Sequence, residues 1–154
     1  MKRFKQHIKE AFNKPYSWKK DRWAGVHTRY IFKTDDGRTG SVTMESPDDE
    51  VADVDFEINS STVITGGGDQ FRIFATVGAA LDDYIKSTPT LWAINFESFK
   101  DDTQVRDGGR DTRKSLYSLM AKKLAKKYKM RLTTSGYGSH MKFTLINDKK
   151  EPGK

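Results

Sequence analysis

The stretch Asp53–Glu97, DVDFEINSSTVITGGGDQFRIFATVGAALDDYIKSTPTLWAINFE, decides the fold. Val54, Phe56 and Ile58 alternate with Asp53, Asp55 and Glu57, the period of two expected of a strand buried on one face. Thr65-Gly66-Gly67-Gly68 then breaks the chain. Phe71 to Ile85 follows at helical spacing, and Leu91 to Glu97 reads as a second strand. Two parallel strands joined through a helix cross over right-handed. A glycine turn that opens a helix presents free backbone N–H groups at the positive end of the helix dipole.

Towards the N-terminus, Lys2 to Phe12 reads as a short amphipathic helix. Phe4, Ile8, Ala11 and Phe12 share one face, and Lys2, Lys5 and Lys9 lie away from it. Asn13-Lys14-Pro15 ends it, because proline cannot continue the hydrogen-bond ladder. Tyr16 to Trp23 is an aromatic and basic connection. Val26 to Thr34 and Thr39 to Glu45 are strands joined by Asp35-Asp36-Gly37-Arg38, where Asp-Gly suits positive φ. The acidic loop Ser46–Glu50 leads into the third strand, Val51 to Asn59.

Towards the C-terminus, Ser87-Thr88-Pro89 stops the central helix, and Phe99 to Arg110 is a polar loop. Asp111 or Thr112 caps a long helix reaching Lys129. Its inner stripe is Leu116, Tyr117, Met120, Ala121, Leu124, Ala125 and Tyr128. Lys114, Lys122, Lys123, Lys126, Lys127 and Lys129 lie outside that stripe. Two short strands, Met130–Thr134 and Met141–Ile146, close the chain. The expected order is α-β-β-β-α-β-α-β-β: a mixed α/β (α+β) layer with an antiparallel meander and one parallel crossover. It forms a single domain over residues 1–146, with a flexible tail from Asn147 to Lys154.

The 154 residues suffice for one domain, and nine Phe, six Tyr and three Trp can fill its core. The absence of cysteine excludes a disulfide framework and thiolate chemistry. No apolar run reaches membrane-spanning length and the N-terminus is too polar for a signal peptide, so the expectation is a cytoplasmic protein without membrane contact. The formal net charge of +7 suits contact with nucleic acid or another polyanion, and equally suits plain solubility.

The element order resembles the core of the GNAT acetyltransferase superfamily, without its first strand and one of its first helices. Val54–Asn59, Thr65–Asp69, Phe71–Ile85 and Leu91–Glu97 take the places of the strand, phosphate-binding turn, helix and following strand. Arg113-Lys114-Ser115-Leu116-Tyr117 resembles the Asn-x-x-Ala-x-x-Leu-Tyr segment of the family's last helix. The resemblance runs from Lys2 to Ile146. Separately, Ile64-Thr65-Gly66-Gly67-Gly68-Asp69 through Phe74-Ala75-Thr76-Val77 is similar to small, uncharacterised tailed-phage proteins. That likeness implies no function, but a phage-encoded chain would work in the host cytoplasm.

The GNAT resemblance implies an acyl-CoA-dependent N-acyltransferase, or a degenerate relative, that uses acetyl-CoA and no metal. Gly66, Gly67 and Gly68 would hold the pyrophosphate, assisted by Arg72. Tyr117 would protonate the departing thiolate, since a phenol's ordinary pKa of about 10 suits that task. Glu57 is the first candidate base and Glu97 the second. The chain departs from the family where Thr65 replaces a Gln or Arg and Asp69 follows the glycines. The other reading makes Asp69 a helix cap, Gly66–Gly68 a tight turn and Tyr117 a core residue. Asp53, Asp55 and Glu57 recur at a strand spacing of about 7 Å, which suits charge display better than a metal site. His7, His27 and His140 are isolated. The alternative function is a non-enzymatic phage accessory protein. It would bind nucleic acid or a protein partner through Lys122, Lys126 and Lys129, with Tyr16, Trp18 and Trp23 available for stacking.

Overall fold

The computed structural model describes residues 14–23, 26–35, 37–58, 70–99, 112–136 and 140–152. Its elements are β1 (Trp18–Trp23), β2 (His27–Lys33), β3 (Thr39–Glu45), β4 (Val51–Ile58), α1 (Gln70–Ser87), β5 (Ala93–Phe99), α2 (Thr112–Tyr128), β6 (Arg131–Ser135) and β7 (His140–Ile146). The strands form one mixed sheet in the order β1-β2-β3-β4-β5-β7-β6. β4 and β5 are parallel neighbours, and the other pairings are antiparallel. The arrangement is α+β, one mixed sheet with two described helices.

The element order read from sequence needs one correction. The described chain opens on a strand, β1, within what was expected to be a connection. The expected helix Lys2–Phe12 lies outside the described residues. β1 escapes the sequence pattern because both of its faces carry charge. Its register, Trp18↔Phe32 and Lys20↔Tyr30, turns Trp18 and Lys20 towards the helices. Lys20 passes the Tyr30 ring, with Nζ 5.5 Å from the centroid, and reaches Asp83 Oδ2 at 2.9 Å. An inward lysine on an edge strand also deters edge-to-edge pairing.

Chain direction explains where the helices sit. β4–α1–β5 and β5–α2–β6 both join strands that run the same way, and both step in the same direction along the sheet. Right-handed crossovers of that kind place both helices on one face. The buried residues agree. Tyr30, Phe32, Val42, Met44, Phe56, Ile94, Phe96, Phe143 and Leu145 point to that face and form one core with Ile73, Phe74, Leu81, Met120 and Leu124. The opposite face shows Asp53, Asp55 and Glu57, all exposed. Among the described residues no helix is long and apolar enough to cross a membrane.

Two details fix the ends of elements. α2 stops where Lys129 takes φ 53° and the Met130 N–H bonds the Ala125 carbonyl at 2.9 Å, a left-handed cap without glycine. The segment expected to begin a flexible tail opens with a turn tied to the body. Asn147 N–H donates to Trp92 O at 2.7 Å, and Arg131 pairs with Asp148 at 3.0 Å.

Gly40 sits opposite Phe32 across β2 and β3, under a ring that itself stacks on Tyr16 at 5.9 Å. A Cβ on Gly40 would lie 2.3 Å from Phe32 Cζ. Gly40→Ala is therefore expected to cost about 2 kcal/mol, as an overpacked core does. A lower urea midpoint with unchanged slope would show it, and an unshifted midpoint would refute it.

Candidate active site

β4 and β5 share a ladder only from Val51↔Ala93 to Val54↔Phe96. Beyond it β4 stays with β3 as far as Gly40↔Ile58, and β5 stays with β7 as far as Phe99↔His140. Each strand thus follows its outer neighbour, sheet twist rotates the two neighbours apart, and the sheet opens between them. The opening contains a cleft of about 260 Å³. Asp53, Asp55, Asn95, Glu97 and Lys142 line it on the open face of the sheet. Phe56, Phe96, Tyr117, Met120 and Val77 line it on the helix side.

Tyr117 closes the floor. It is 4% exposed and meets Phe74 edge-on with ring centroids 4.9 Å apart. It also packs on Phe96 at 5.7 Å and Phe143 at 6.3 Å. Tyr117 belongs to the core, as one of its two sequence readings had it, and its ring also lines the cleft. α2 is locked in place through Asp82 on α1. That carboxylate accepts from Lys127 Nζ at 2.6 Å, pairs with Lys86 at 3.1 Å and takes a short hydrogen bond from the Tyr128 hydroxyl.

The mouth is polar and mainly acidic. Asn95 Nδ2 donates to Asp53 Oδ1 at 3.2 Å, and the Thr144 hydroxyl donates to Asn95 Oδ1 at 2.9 Å. This ladder holds Asp53 to one wall. Lys142 stands across from Glu97 in the β5–β7 register. Among the described residues there is no group of three or more His, Asp or Glu able to hold a metal ion.

The other sequence candidates fall in different places. Glu57 is exposed further along β4, opposite Ser41, and does not line the cleft, whereas Glu97 does. Gly66, Gly67, Gly68 and Asp69 lie outside the described residues. Arg72, in the first turn of α1, is already engaged. Its Nη1 pairs with Asp35 at 2.8 Å, its Nε donates to the Lys14 carbonyl at 2.9 Å, and its guanidinium lies 4.0 Å above the Tyr16 ring. Lys122, Lys126 and Lys129 are exposed, away from the cleft. Asn95 and Lys142 were not singled out from sequence. Their only signal there is alternation within a strand, and their place at the cleft follows from pairing partners distant in sequence.

No family model matches the chain, and no curated protein sequence matches it. Among solved structures, the crystal structure of the Campylobacter jejuni N-acetyltransferase PseH aligns over 80% of this chain and 70% of that one. The identity is 9% and the TM-score 0.38, a likeness too loose to assign a family.

The Asp82 cluster carries a pH signature. Partial burial alone would raise its pKa, but hydrogen bonds from Lys127, Tyr128 and Lys86 outweigh that and bring the carboxyl from an ordinary 3.8 to about 2. A depressed folded-state value means that the stabilisation is complete above about pH 4 and is lost as pH falls from there towards 2. Asp82→Asn should therefore lower stability at neutral pH by about 1–2 kcal/mol and remove that part of the acid dependence. Chemical denaturation of both proteins between pH 2 and 7 measures it. Superimposable stability curves would show that the cluster contributes nothing.

Proposed function

We propose that the chain is a GNAT-like, acyl-CoA-dependent N-acyltransferase whose active site is the cleft between β4 and β5. The observation that carries this reading is the parting of the two parallel strands after four shared positions, with a buried tyrosine under the gap. Beyond Val54 and Phe96 the facing edges of β4 and β5 no longer pair with each other. Backbone groups on such edges suit an extended ligand with amides of its own, as the pantetheine arm of coenzyme A has. By sequence, Gly66–Gly68 follow β4 and precede α1, where the resemblance puts the pyrophosphate. Arg72, committed to Asp35 and Lys14, is left out of the cofactor set.

The thioester supplies the activated acyl carbon. An amine entering from the acidic mouth meets Glu97, which takes a proton from the nitrogen as the N–C bond forms. The C–S bond breaks, sulfur leaves with the electron pair, and the Tyr117 hydroxyl donates the proton that neutralises it. The acid and the base approach from opposite sides of the sheet, so neither blocks the other. Glu97 replaces Glu57 as the base in this reading because Glu97 lines the cleft.

Calorimetric titration with millimolar acetyl-CoA, followed by a free-thiol assay with a simple amine, tests the proposal. Heat of binding and thiol release are expected. Tyr117→Phe should lower kcat on the order of 10²-fold with little change in thioester KM, and Glu97→Gln should lower it at least about 10-fold. Glu57→Gln should stay within about 3-fold of the wild type. Absence of heat rejects the cofactor, and full turnover by Tyr117→Phe rejects the assigned acid.

A further inference from the structure

α2 runs for 17 residues without an Asp or Glu, in a chain that has 21 of them. Its apolar stripe, Tyr117, Met120, Ala121 and Leu124, is buried in the core. On the solvent side Lys122 and Lys126 stand one turn apart, and Lys129 follows at the left-handed cap. All three are exposed. Lys123 and Lys127 turn instead to a groove of about 490 Å³ between α1 and α2, where Lys127 holds Asp82. Lys122, Lys126 and Lys129 do not line that groove, and no carboxylate among the described residues pairs with them. Met130 alone separates Lys129 from β6, the edge strand of the sheet, on which Thr133, Thr134 and Ser135 are exposed. The lysines of α2 thus run on into a row of hydroxyls.

We propose that this face of α2 binds the phosphate backbone of double-stranded DNA without reading its sequence, a role independent of the acyltransferase reading. Lysines with no carboxylate beside them displace the counterions condensed on a polyanion, which is the main source of sequence-independent affinity. The dimensions agree. At ~1.5 Å per residue Lys122 to Lys129 covers about 10 Å, and one strand of the duplex carries a phosphate about every 3.4 Å of axis, so the face meets about three phosphates. The hydroxyls of β6 are further donors of the kind that hold phosphate oxygens. Lysine is a flexible point charge suited to phosphates, whereas base reading favours the planar fork of arginine. Other partners fit this face less well. A single strand needs rings to stack on, but Tyr16 is buried and Trp18 packs edge-on to Tyr30 with centroids 5.8 Å apart. An anionic membrane needs an apolar face to insert, and Leu119 is the one exposed large apolar side chain among the described residues. Protein interfaces are depleted in lysine and centred on apolar anchors. Duplex RNA is gripped across about 16 base pairs, a longer span than this face offers.

The test is fluorescence anisotropy of a short labelled DNA duplex of mixed sequence with the full-length protein. Binding is expected in the micromolar range at ~50 mM salt, and with about three phosphates neutralised the affinity should fall about 40-fold between ~50 and ~200 mM salt. The triple change Lys122→Glu, Lys126→Glu and Lys129→Glu should weaken binding at least about 10-fold at ~50 mM salt. Its urea midpoint should stay near that of the wild type, because the three side chains are exposed. The neutral triple to Gln should reduce the salt effect from about 40-fold to below about 5-fold. The triple change Lys19→Glu, Lys33→Glu and Lys149→Glu alters net charge equally at exposed positions elsewhere, and should bind within about 3-fold of the wild type. A single strand and an RNA duplex of the same sequence should bind more weakly than the DNA duplex. No binding at ~50 mM salt, undiminished binding by the α2 variants, equal losses in the two Glu triples, or tighter binding of the single strand or the RNA duplex would each overturn the proposal.

Discussion

The short parallel ladder between β4 and β5 is the constraint on which the rest of the molecule depends. Four shared positions suffice to align two strands that the crossover through α1 brings together. They are too few to keep the strands together along their full length. β3 holds β4 to Ile58 and β7 holds β5 to Phe99, and each antiparallel ladder outlasts the parallel one. With backbone hydrogen bonds satisfied on the outer sides, twist separates the inner edges at little cost. A cleft through the middle of a sheet is thus a product of pairing lengths, and no single residue has to create it.

The same constraint sorts the chemistry by face. Right-handed crossovers put both described helices on one side, so Phe96 of β5 and Phe143 of β7 meet Tyr117 there, and Phe56 of β4 meets Phe74. The other side keeps the alternate residues of the same strands, which are carboxylates, Asn95 and Lys142. The chain as a whole is basic, at +7, yet the cleft mouth carries three carboxylates against one lysine. Field at short range is set by these neighbours, because salt screens the distant lysines of α2 beyond about 10 Å at ~0.1 M. The mouth is thus locally acidic in a chain that is basic as a whole.

The helix pair connects the two cavities. Asp82 ties α1 to α2 through Lys127 and Tyr128, and Phe74 and Met120 carry packing from the outer groove to the cleft floor. Tyr117 is therefore positioned by contacts from several elements, and so are the walls of the groove beside it. A ring packed on several sides is held in one rotamer.

Local pattern carried much of the architecture. Alternation in Val54–Ile58, helical spacing from Phe71 to Ile85, the Asp-Gly turn before Thr39 and the stripe through Tyr117, Met120 and Leu124 each depend only on near neighbours, and each matches the described elements. β1 was not legible, because Lys20 earns its inward place through Asp83 and Tyr30, residues remote in sequence. The site divides the same way. The sequence by itself determined that carboxylates alternate along β4 and that Tyr117 lies on the apolar stripe of its helix. Only the tertiary structure decided that Glu97 rather than Glu57 lines the cleft, that Lys142 faces Glu97 and that Arg72 is spent on Asp35. The physical reason is that periodicity assigns a side chain to a face, whereas register and strand separation assign it a position on that face. These are set by pairing between segments far apart in the chain.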